Sequence, residues 1–398
     1  MPLDELAARH GTPLYVYSAT TITQRYREVD EAFAGYPHTM HYALKANSTL
    51  AIARLLRGLG AAADANSGGE IEVALRAGFT PPEIVFTGVG KTDAELAHAI
   101  SLGVRSINAE SEGELERIDA LASARNSRAR VALRVNPDID AGSHPYITTG
   151  RKNNKFGVAI ADAHEICERM RGRPGIELVG LHSHVGSQIT DLEPLRRAAA
   201  ALVGLAGELR TAGLGIDHLD IGGGLGISYD GQRVPSAAEY AAAVLPIVRQ
   251  SGLTVILEPG RFLVGAAGVL ITRVIDVKPQ AGHKYFVVVD AGMTELMRPM
   301  LYGAYHRIAP ARSSDRPSVV CDLVGPICET TDTLGKDRTL PMPQTGDLMV
   351  VFDTGAYGSV MASNYNRRPM PAEVMVDNGK ASIIKRRQTI DDLVALES

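Results

Sequence analysis

Eight short β-rich runs alternate with helical patterns between about residue 38 and residue 258 of this 398-residue chain. The runs begin at His38, Ala61, Glu83, Arg105, Ala129, Ile176, Asp217 and Thr254. The helical stretches carry their own end signals, because Thr92 with Glu95 forms a capping box and the stretch after Ser48 has a serine cap and a glycine stop. Eight alternating strands and helices predict an α/β fold, a closed parallel (β/α)8 barrel of the TIM type.

The pattern changes after Arg261, where strand-like runs are separated by Gly, Pro and Asp turns. Helical periodicity returns only in the last ten residues. The opening PLYVYS run is also strand-like and precedes the first barrel helix. We therefore predict a barrel over 20–265 and a second, mainly antiparallel β domain, sandwich-like or barrel-like, built from 1–19 together with 266–398.

Charge and composition exclude several functional classes. The 41 Lys and Arg against 45 Asp and Glu give a net charge of −4 without a basic cluster, so we expect no nucleic-acid partner. Three cysteines, Cys167, Cys321 and Cys328, cannot all pair, which favours a reducing compartment. No apolar run approaches the roughly 18 residues of a membrane span or forms a signal segment. We expect a cytoplasmic protein without a membrane partner.

Reactive residue types follow many of the predicted barrel strands, which is where barrel enzymes carry their active sites. Lys45 follows the first strand, His184 and Ser187 the sixth, and Glu258 the eighth. Further polar or glycine positions at strand ends are Ser67–Glu70, Asn108, Glu110, Asn136, Gly222–Gly224 and Arg261. The sequence thus predicts one site at the carboxyl ends of the strands.

The residue types at these ends suit pyridoxal 5'-phosphate. A partly desolvated Lys45 amine is available for a Schiff base, and the glycines Gly222–Gly224 offer backbone N–H groups to a phosphate. Glu258 would keep a pyridine nitrogen protonated, His184 would stack on the ring, and Ser187 would donate to a phosphate oxygen. Each residue alone also has a structural interpretation: a solvated lysine, a tight turn, an ion pair with Arg261, and a structural histidine.

Three other motifs point to different chemistry. The GKT run at Gly90–Thr92 resembles the end of a P-loop, but Val85 occupies the position of the required glycine. The glycine run after strand seven begins like a dinucleotide fingerprint, but Ile227 replaces its third glycine. His182 and His184 form an HxH pair of the kind that holds zinc in barrel hydrolases. No further set of ligands is evident in the sequence, so we predict no metal and keep a zinc hydrolase as the weaker alternative.

Ordered motifs along essentially the whole chain resemble the fold-type III pyridoxal phosphate decarboxylases, and among them the diaminopimelate decarboxylase family. They are YALKAN around Lys45, RVNPDIDAGSHPYITTGRKNNKFG from Arg134, HSHVGSQ, DIGGGLG, EPGR, RPMLYGAYH from Arg298, GPICETTD from Gly325 and GAYGSVMASNYNRRPMPAEV from Gly355. The family combines a β/α barrel with a β domain built from the N-terminal strand and the C-terminal half.

The resemblance implies a role for each matching residue. Lys45 would bind the cofactor covalently, Glu258 would contact the pyridine nitrogen and His184 would stack on the ring. The other cofactor contacts would be Ser187, Gly222, Gly223, Gly224, Gly260, Arg261 and Tyr357. Cys328 would be the catalytic proton donor, supplied with Glu329 by the second subunit of a homodimer. The substrate would be held by Arg261, Arg298, Tyr302, Glu329 and Tyr357.

The resemblance also implies decarboxylation of meso-2,6-diaminopimelate to L-lysine, the last step of lysine biosynthesis. Arginines can bind a second carboxylate bidentately, and Glu329 can bind the second ammonium group. Decarboxylation of ornithine, arginine or lysine is the alternative. An amino-acid racemase would use a tyrosine base instead, and a non-catalytic homologue is expected to have lost Lys45 or Cys328.

Overall fold

The structure is a computed structural model that describes residues 1–140 and 154–397. The chain divides into two compact units. The barrel unit comprises Thr23–Ile227 and Val234–Phe262, and the β unit comprises Met1–Ile22, Ser228–Arg233 and Leu263–Ser398. The excursion Ser228–Arg233 interrupts the barrel unit, a feature that no local pattern in the sequence indicates.

The barrel unit contains the predicted closed parallel sheet. Each of eight strands pairs in parallel with the next, and the eighth pairs with the first. In order they are His38–Ala43, Ala62–Ala65, Ile84–Phe86, Ser106–Ala109, Ala129–Asn136, Ile176–His182, His218–Asp220 and Thr254–Leu257. All eight predicted strands are confirmed. The short strand Val158–Ala159 adds to the fifth.

Helices alternate with these strands as predicted. They are Ala19–Phe33, Leu50–Gly58, Gly68–Ala77, Asp93–Leu102, Glu112–Ser123, Ile160–Met170, Glu193–Thr211 and Ala237–Val248, with the short Arg261–Val264 after the last strand. The capping box of Thr92 and Glu95 is confirmed. The predicted Ser48 cap is wrong, because Thr49 occupies the N-cap position. Asn47 Oδ1 accepts the Thr49 N–H at 3.1 Å and so delays the helix start.

The β unit is built on a mixed, mainly antiparallel sheet. Its strand order is Thr333–Pro341, Ser318–Val324, Lys284–Val289, Gly268–Gln280, Leu14–Ser18, Ala372–Asp377 and Lys380–Lys385, and Leu348–Val351 joins Ile308–Pro310 to Gly268–Gln280. The N-terminal strand Leu14–Ser18 pairs antiparallel with Gly268–Gln280 and parallel with Ala372–Asp377, so it is a central strand of this sheet. Leu14 and Val16 pack with Leu6, Ile271 and Val374 in a buried cluster.

Some strands and helices of the β unit were not predicted from the sequence patterns. The strand Ile308–Pro310 is only three residues long and ends in proline, and Thr333–Pro341 contains glycine and charged residues. The short helices Leu3–His10 and Arg298–Tyr302 were not indicated either, whereas Ile390–Val394 lies in the last ten residues, where helical periodicity was expected. Within residues 1–140 and 154–397, no helix combines the length and apolarity needed to cross a membrane.

Candidate active site

Lys45 lies directly after the first barrel strand, in the 3₁₀ turn Leu44–Ala46. Its Nζ donates to Asp64 Oδ2 at 3.1 Å and to Asn66 Oδ1 at 3.3 Å, from the end of the second strand. The Lys45 side chain is 32% exposed, whereas Asp64 is fully buried. The amine is therefore held in place yet reachable from solvent, as a covalent cofactor attachment requires.

Glu258 follows the eighth strand and is buried at 3% exposure. Its Oε2 lies 3.3 Å from His182 Nε2, and Thr87 Oγ1 lies 3.5 Å from its Oε1. Burial by itself would raise the pKa of Glu258, but the interaction with His182 and the charge of Lys45 hold the pKa well below its usual range. Glu258 is therefore an anion at the carboxyl end of the eighth barrel strand.

Two further buried carboxyl groups surround Glu258, and sequence reasoning missed both. Burial and the Glu258 charge raise the pKa of Asp64, although Lys45 opposes this shift. Burial and Glu258 also raise the pKa of Asp220 well above its usual range. Because both residues lie at the ends of barrel strands, the rule that selected Lys45 would have found them. Glu258 is thus the one of these three carboxyl groups whose pKa is lowered, whereas the pKa values of Asp64 and Asp220 are raised.

The same residues bear on the zinc alternative. Ligand atoms of His182, Asp220 and Glu258 lie within 4.8 Å of one another, so the structure assembles a possible metal triad that the HxH motif did not specify. All three residues are buried, and His182 Nε2 lies 3.3 Å from Glu258 Oε2. His184 has a different partner, because its Nδ1 accepts the Gly223 N–H at 3.2 Å.

His184 is half-buried beside the glycine run. Burial, with the charges of Lys45 and Arg134, holds the pKa of His184 well below its usual value. A neutral imidazole accepts the Gly223 N–H at Nδ1 without competition from a proton there. Its flat ring at the strand end suits stacking on another ring.

Close packing leaves no room for side chains at the glycine positions after strand seven. A Cβ at Gly223 would lie 2.1 Å from the Glu258 carbonyl oxygen, and one at Gly224 would lie 2.6 Å from that of Gly186. Gly222 has φ +67° and donates its N–H to Asp220 Oδ1 at 2.9 Å. The glycine run is therefore a tight, closely packed turn. The N–H groups of Gly222 and Gly223 already donate to Asp220 and His184.

Ser187 and Arg261 form a second pair at this end of the barrel. Arg261 Nη2 donates to Ser187 Oγ at 2.9 Å, and Arg261 is buried. Gly260 precedes it and packs closely, since a Cβ there would lie 3.0 Å from Ala46 Cβ. A cation beside a hydroxyl group provides the donors that a phosphate or carboxylate prefers.

The remaining predicted site residues lie in the β unit. Arg298 is buried, and Tyr302 and Tyr357 are half-buried. Tyr357 adopts φ +55°, a left-handed conformation that is uncommon for a residue with a side chain. Cys328 and Glu329 are exposed, and Tyr365 donates its hydroxyl to Glu329 Oε1 at 2.7 Å.

The P-loop-like lysine has a structural role. Lys91 is buried and donates to Glu114 Oε1 at 2.7 Å and to the carbonyls of Gly88 and Asn108. Burial lowers the pKa of Lys91, and Glu114 opposes this effect. These contacts agree with the sequence argument against a nucleotide-binding loop.

Comparison with known proteins identifies the family. The family model for pyridoxal-dependent decarboxylase, pyridoxal binding domain, matches residues 19–265. Diaminopimelate decarboxylase from Pseudomonas aeruginosa is 46% identical over 396 residues, 100% of this chain and 95% of the relative. The chain belongs to the diaminopimelate decarboxylase family.

Other members of the diaminopimelate decarboxylase family agree over the full length. The Vibrio cholerae enzyme is 44% identical over 399 residues, 100% of this chain and 95% of the relative. The crystal structure of Helicobacter pylori diaminopimelate decarboxylase complexed with L-lysine has a TM-score of 0.96 at 42% identity, covering 99% of both chains. The resemblance, the barrel fold and the carboxy-lyase class are therefore confirmed. Residues 141–153 of the motif beginning at Arg134 lie outside the described residues.

Proposed function

We propose that this chain removes CO2 from the D-configured centre of meso-2,6-diaminopimelate and releases L-lysine, with pyridoxal phosphate as its cofactor. The observation that carries the proposal is the position of Lys45, whose amine contacts Asp64 and whose charge acts on Glu258. An amine for the aldehyde and a buried anion for the ring nitrogen are two of the groups that would hold pyridoxal phosphate, and both lie at one end of the barrel. Decarboxylation of ornithine, arginine or lysine remains the alternative.

The barrel residues fit pyridoxal phosphate by their chemistry. Lys45 offers an amine to the aldehyde, and anionic Glu258 can accept a hydrogen bond from a protonated ring nitrogen. Arg261 and Ser187 would bind the phosphate, together with the glycine segment Gly222–Gly224. His184, neutral and half-buried, would stack on the ring. Gly260 and Tyr357 would complete the cofactor contacts.

When bound, pyridoxal phosphate supplies an electron sink for the pair of electrons left as CO2 departs. Glu258 supports that role because its contact with His182 and the charge of Lys45 lower its pKa. Burial and Glu258 raise the pKa of the neighbouring acids Asp64 and Asp220, which disfavours a second negative charge beside Glu258. The barrel residues thus favour a negative charge on Glu258, which would pair with a cationic ring nitrogen.

Residues of the β unit would bind substrate and supply the final proton. Cys328 carries a thiol proton that it can donate to the reacting carbon. Arg298 would bind the distal carboxylate, and Glu329 the distal ammonium group. Tyr302, Tyr357 and Arg261 would contact the same substrate.

We further propose that the enzyme acts as a homodimer. Cys328 and Glu329 are exposed on the single chain, whereas a proton donor works best where water is excluded. A second copy covering this loop would provide that exclusion, with Cys328 and Glu329 supplied across the interface. Free thiols at Cys167, Cys321 and Cys328 favour the reducing cytoplasm.

The test is CO2 release and product identity from protein loaded with pyridoxal phosphate. The substrates are meso-diaminopimelate, D-lysine, L-lysine, ornithine and arginine, each assayed separately. We expect L-lysine from meso-diaminopimelate and no comparable release from the others. Turnover of a different amino acid would keep the chemistry but contradict the roles of Arg298 and Glu329.

A metal measurement addresses the zinc hydrolase directly. Metal content of the purified, active protein is measured by mass spectrometry, and activity is assayed with and without a chelator. We expect decarboxylation to be unaffected by the chelator. One zinc ion per chain, with activity lost on chelation, would assign His182, Asp220 and Glu258 to a metal site instead.

A further inference from the structure

Arg298 is held by two uncharged aromatic groups. Its Nη1 lies 2.7 Å from His306 Nε2, and its guanidinium carbon lies 4.6 Å from the centre of the Tyr229 ring. The two rings also contact each other edge to face, with centroids 5.1 Å apart and planes at 76°. Arg298 is 5% exposed and His306 is fully buried. The guanidinium is therefore clamped on one face and at one end.

The hydrogen bonds determine the tautomer of His306. Its Nδ1 lies 2.8 Å from the Phe352 carbonyl oxygen, which can only accept, so Nδ1 carries the proton. Arginine can only donate, so Nε2 accepts from Arg298 without a proton of its own. The ring is thus neutral, and it orients the guanidinium without neutralising its charge.

The backbone around His306 fixes the ring in turn. Phe352 donates its N–H to the Arg307 carbonyl at 2.9 Å, and Ile308–Pro310 pairs antiparallel with Leu348–Val351. Tyr229 comes from Ser228–Arg233, the excursion that leaves the barrel unit to join the β unit. Both the strand pairing and the excursion therefore place aromatic rings against one guanidinium.

We propose that His306 and Tyr229 are positioning residues that aim Arg298 at the distal carboxylate of the substrate and so set the preference for a dicarboxylate amino acid. The inference rests on the proposed function. A bidentate arginine–carboxylate contact depends on the plane of the guanidinium, and a clamp by a hydrogen bond and a ring face defines that plane. Loss of the clamp weakens carboxylate recognition and leaves amine recognition intact.

L-lysine and cadaverine (1,5-diaminopentane) provide the test, because they differ only in the carboxylate that Arg298 would bind. Their dissociation constants are measured by calorimetry on holoenzyme loaded with pyridoxal phosphate. In wild-type protein L-lysine should bind more tightly than cadaverine. His306→Phe, which keeps a ring but removes the acceptor, should weaken L-lysine binding about tenfold and leave cadaverine unchanged. His306→Gln, whose amide oxygen can accept from Arg298, should recover part of the loss.

Tyr229 provides a second pair of variants at a half-buried position, in case the His306 variants fold poorly. Tyr229→Leu removes the ring face and should weaken L-lysine binding, whereas Tyr229→Phe keeps the face and should not. In an Arg298→Lys background His306→Phe should have little additional effect, because the two residues act together.

The outcomes separate this inference from the proposed function. A wild-type holoenzyme that binds L-lysine no more tightly than cadaverine overturns the inference. Equal changes for both ligands in His306→Phe and Tyr229→Leu also overturn it, because they indicate a general structural role. Absence of CO2 release from meso-diaminopimelate by the wild type contradicts the proposed function, whatever the ratio of the two binding constants.

Discussion

The carboxylate of Asp332 accepts the backbone N–H of Ile327 at 2.8 Å, directly before Cys328 in the chain. Its other oxygen accepts the Met293 N–H at 2.6 Å, and the Asp332 N–H donates to the Glu329 carbonyl at 3.0 Å. Burial raises the pKa of Asp332, and these backbone hydrogen bonds oppose the shift. One buried side chain therefore holds the loop that carries the proposed proton donor.

Replacing Asp332 by Asn tests this support for the loop. The amide has only one oxygen to accept a hydrogen bond, so one of the two N–H groups loses its partner and the loop loosens. We expect turnover of meso-diaminopimelate to fall about tenfold and alkylation of Cys328 to accelerate several-fold. Asp315→Asn, at an exposed position, is the control. Unchanged rates in Asp332→Asn would show that the loop is held by other contacts.

The three cysteines should differ sharply in reactivity. Burial raises the pKa of Cys167 to about 12 and that of Cys321 to about 11, so neither forms much thiolate near neutral pH. Cys328 is exposed. Because a second copy would cover this loop in the proposed homodimer, the protein is treated with iodoacetamide at pH 8 after dilution has separated the subunits. We expect Cys328 alone to be modified, as mapped by peptide mass spectrometry, and turnover to be lost. Modification without loss of turnover would remove Cys328 from the mechanism.

Cys328→Ala provides the complementary genetic test. It should retain the visible absorption of the bound cofactor but lose turnover by about 10²-fold to 10⁴-fold, because it removes only the proton donor. Cys167→Ala should keep both absorption and turnover. Loss of cofactor absorption in Cys328→Ala would instead indicate a role in cofactor binding.

Lys45→Ala should abolish covalent cofactor binding. We expect loss of the visible absorption band and a fall in turnover of about 10³-fold or more, because no other amine contacts Asp64 and Asn66 among the hydrogen bonds described at these residues. Lys380→Ala, at an exposed position, should behave as wild type. Decarboxylation at the wild-type rate by Lys45→Ala would refute the proposed function.

Gly223 should tolerate no side chain. The Cβ of Gly223→Ala would lie 2.1 Å from the Glu258 carbonyl, so the backbone beside Glu258 must shift. We expect unfolding in urea to show a loss of about 3 kcal/mol, accompanied by weaker cofactor binding. Gly207 lies in the helix Glu193–Thr211 with open space around it. Gly207→Ala should therefore stabilise the protein by about 0.5–1 kcal/mol.

His41 should make the barrel sensitive to mild acid. Burial and the nearby Arg105 charge lower the pKa of His41 from 6.5 to about 3, and its buried Nε2 has no hydrogen-bond partner among the described residues. Below pH 6.5 His41 is protonated in the unfolded chain but not in the folded chain. The free energy of unfolding therefore falls as the pH drops towards 3. The loss should be on the order of 4 kcal/mol over that range.

The His41 prediction is checked by urea unfolding at several pH values. His41→Gln cannot titrate, so its stability should depend less steeply on pH between 6.5 and 4 than that of the wild type. The exposed His283→Gln should retain the wild-type slope. Equal slopes for all three proteins would contradict the assignment.

Much of the barrel follows from local sequence patterns. The strand runs, the Thr92 capping box and the helix over Ala19–Phe33 depend on interactions between residues close in the chain, so they can be recognised without a structure. Placement of Lys45 and Glu258 at strand ends follows from the same pattern, because parallel strands in a barrel share one carboxyl end.

No local sequence pattern predicts the side chains that Lys45 and Glu258 contact. The contact of Lys45 with Asp64 joins the first and second barrel strands, and the contact of Glu258 with His182 joins residues 76 positions apart in the chain. The contact with His182 lowers the pKa of Glu258.

In the β unit, too, local sequence predicted some features, whereas others were evident only from the structure. The strand-like run PLYVYS predicted a strand, and the ordered motifs predicted the roles of Arg298 and Cys328. The clamp of Tyr229 and His306 on Arg298 and the anchoring of the Cys328 loop by Asp332 required the folded chain. Short-range periodicity is written in the sequence by itself, whereas hydrogen-bond partners and burial, which determine charge and orientation, arise only when distant segments meet.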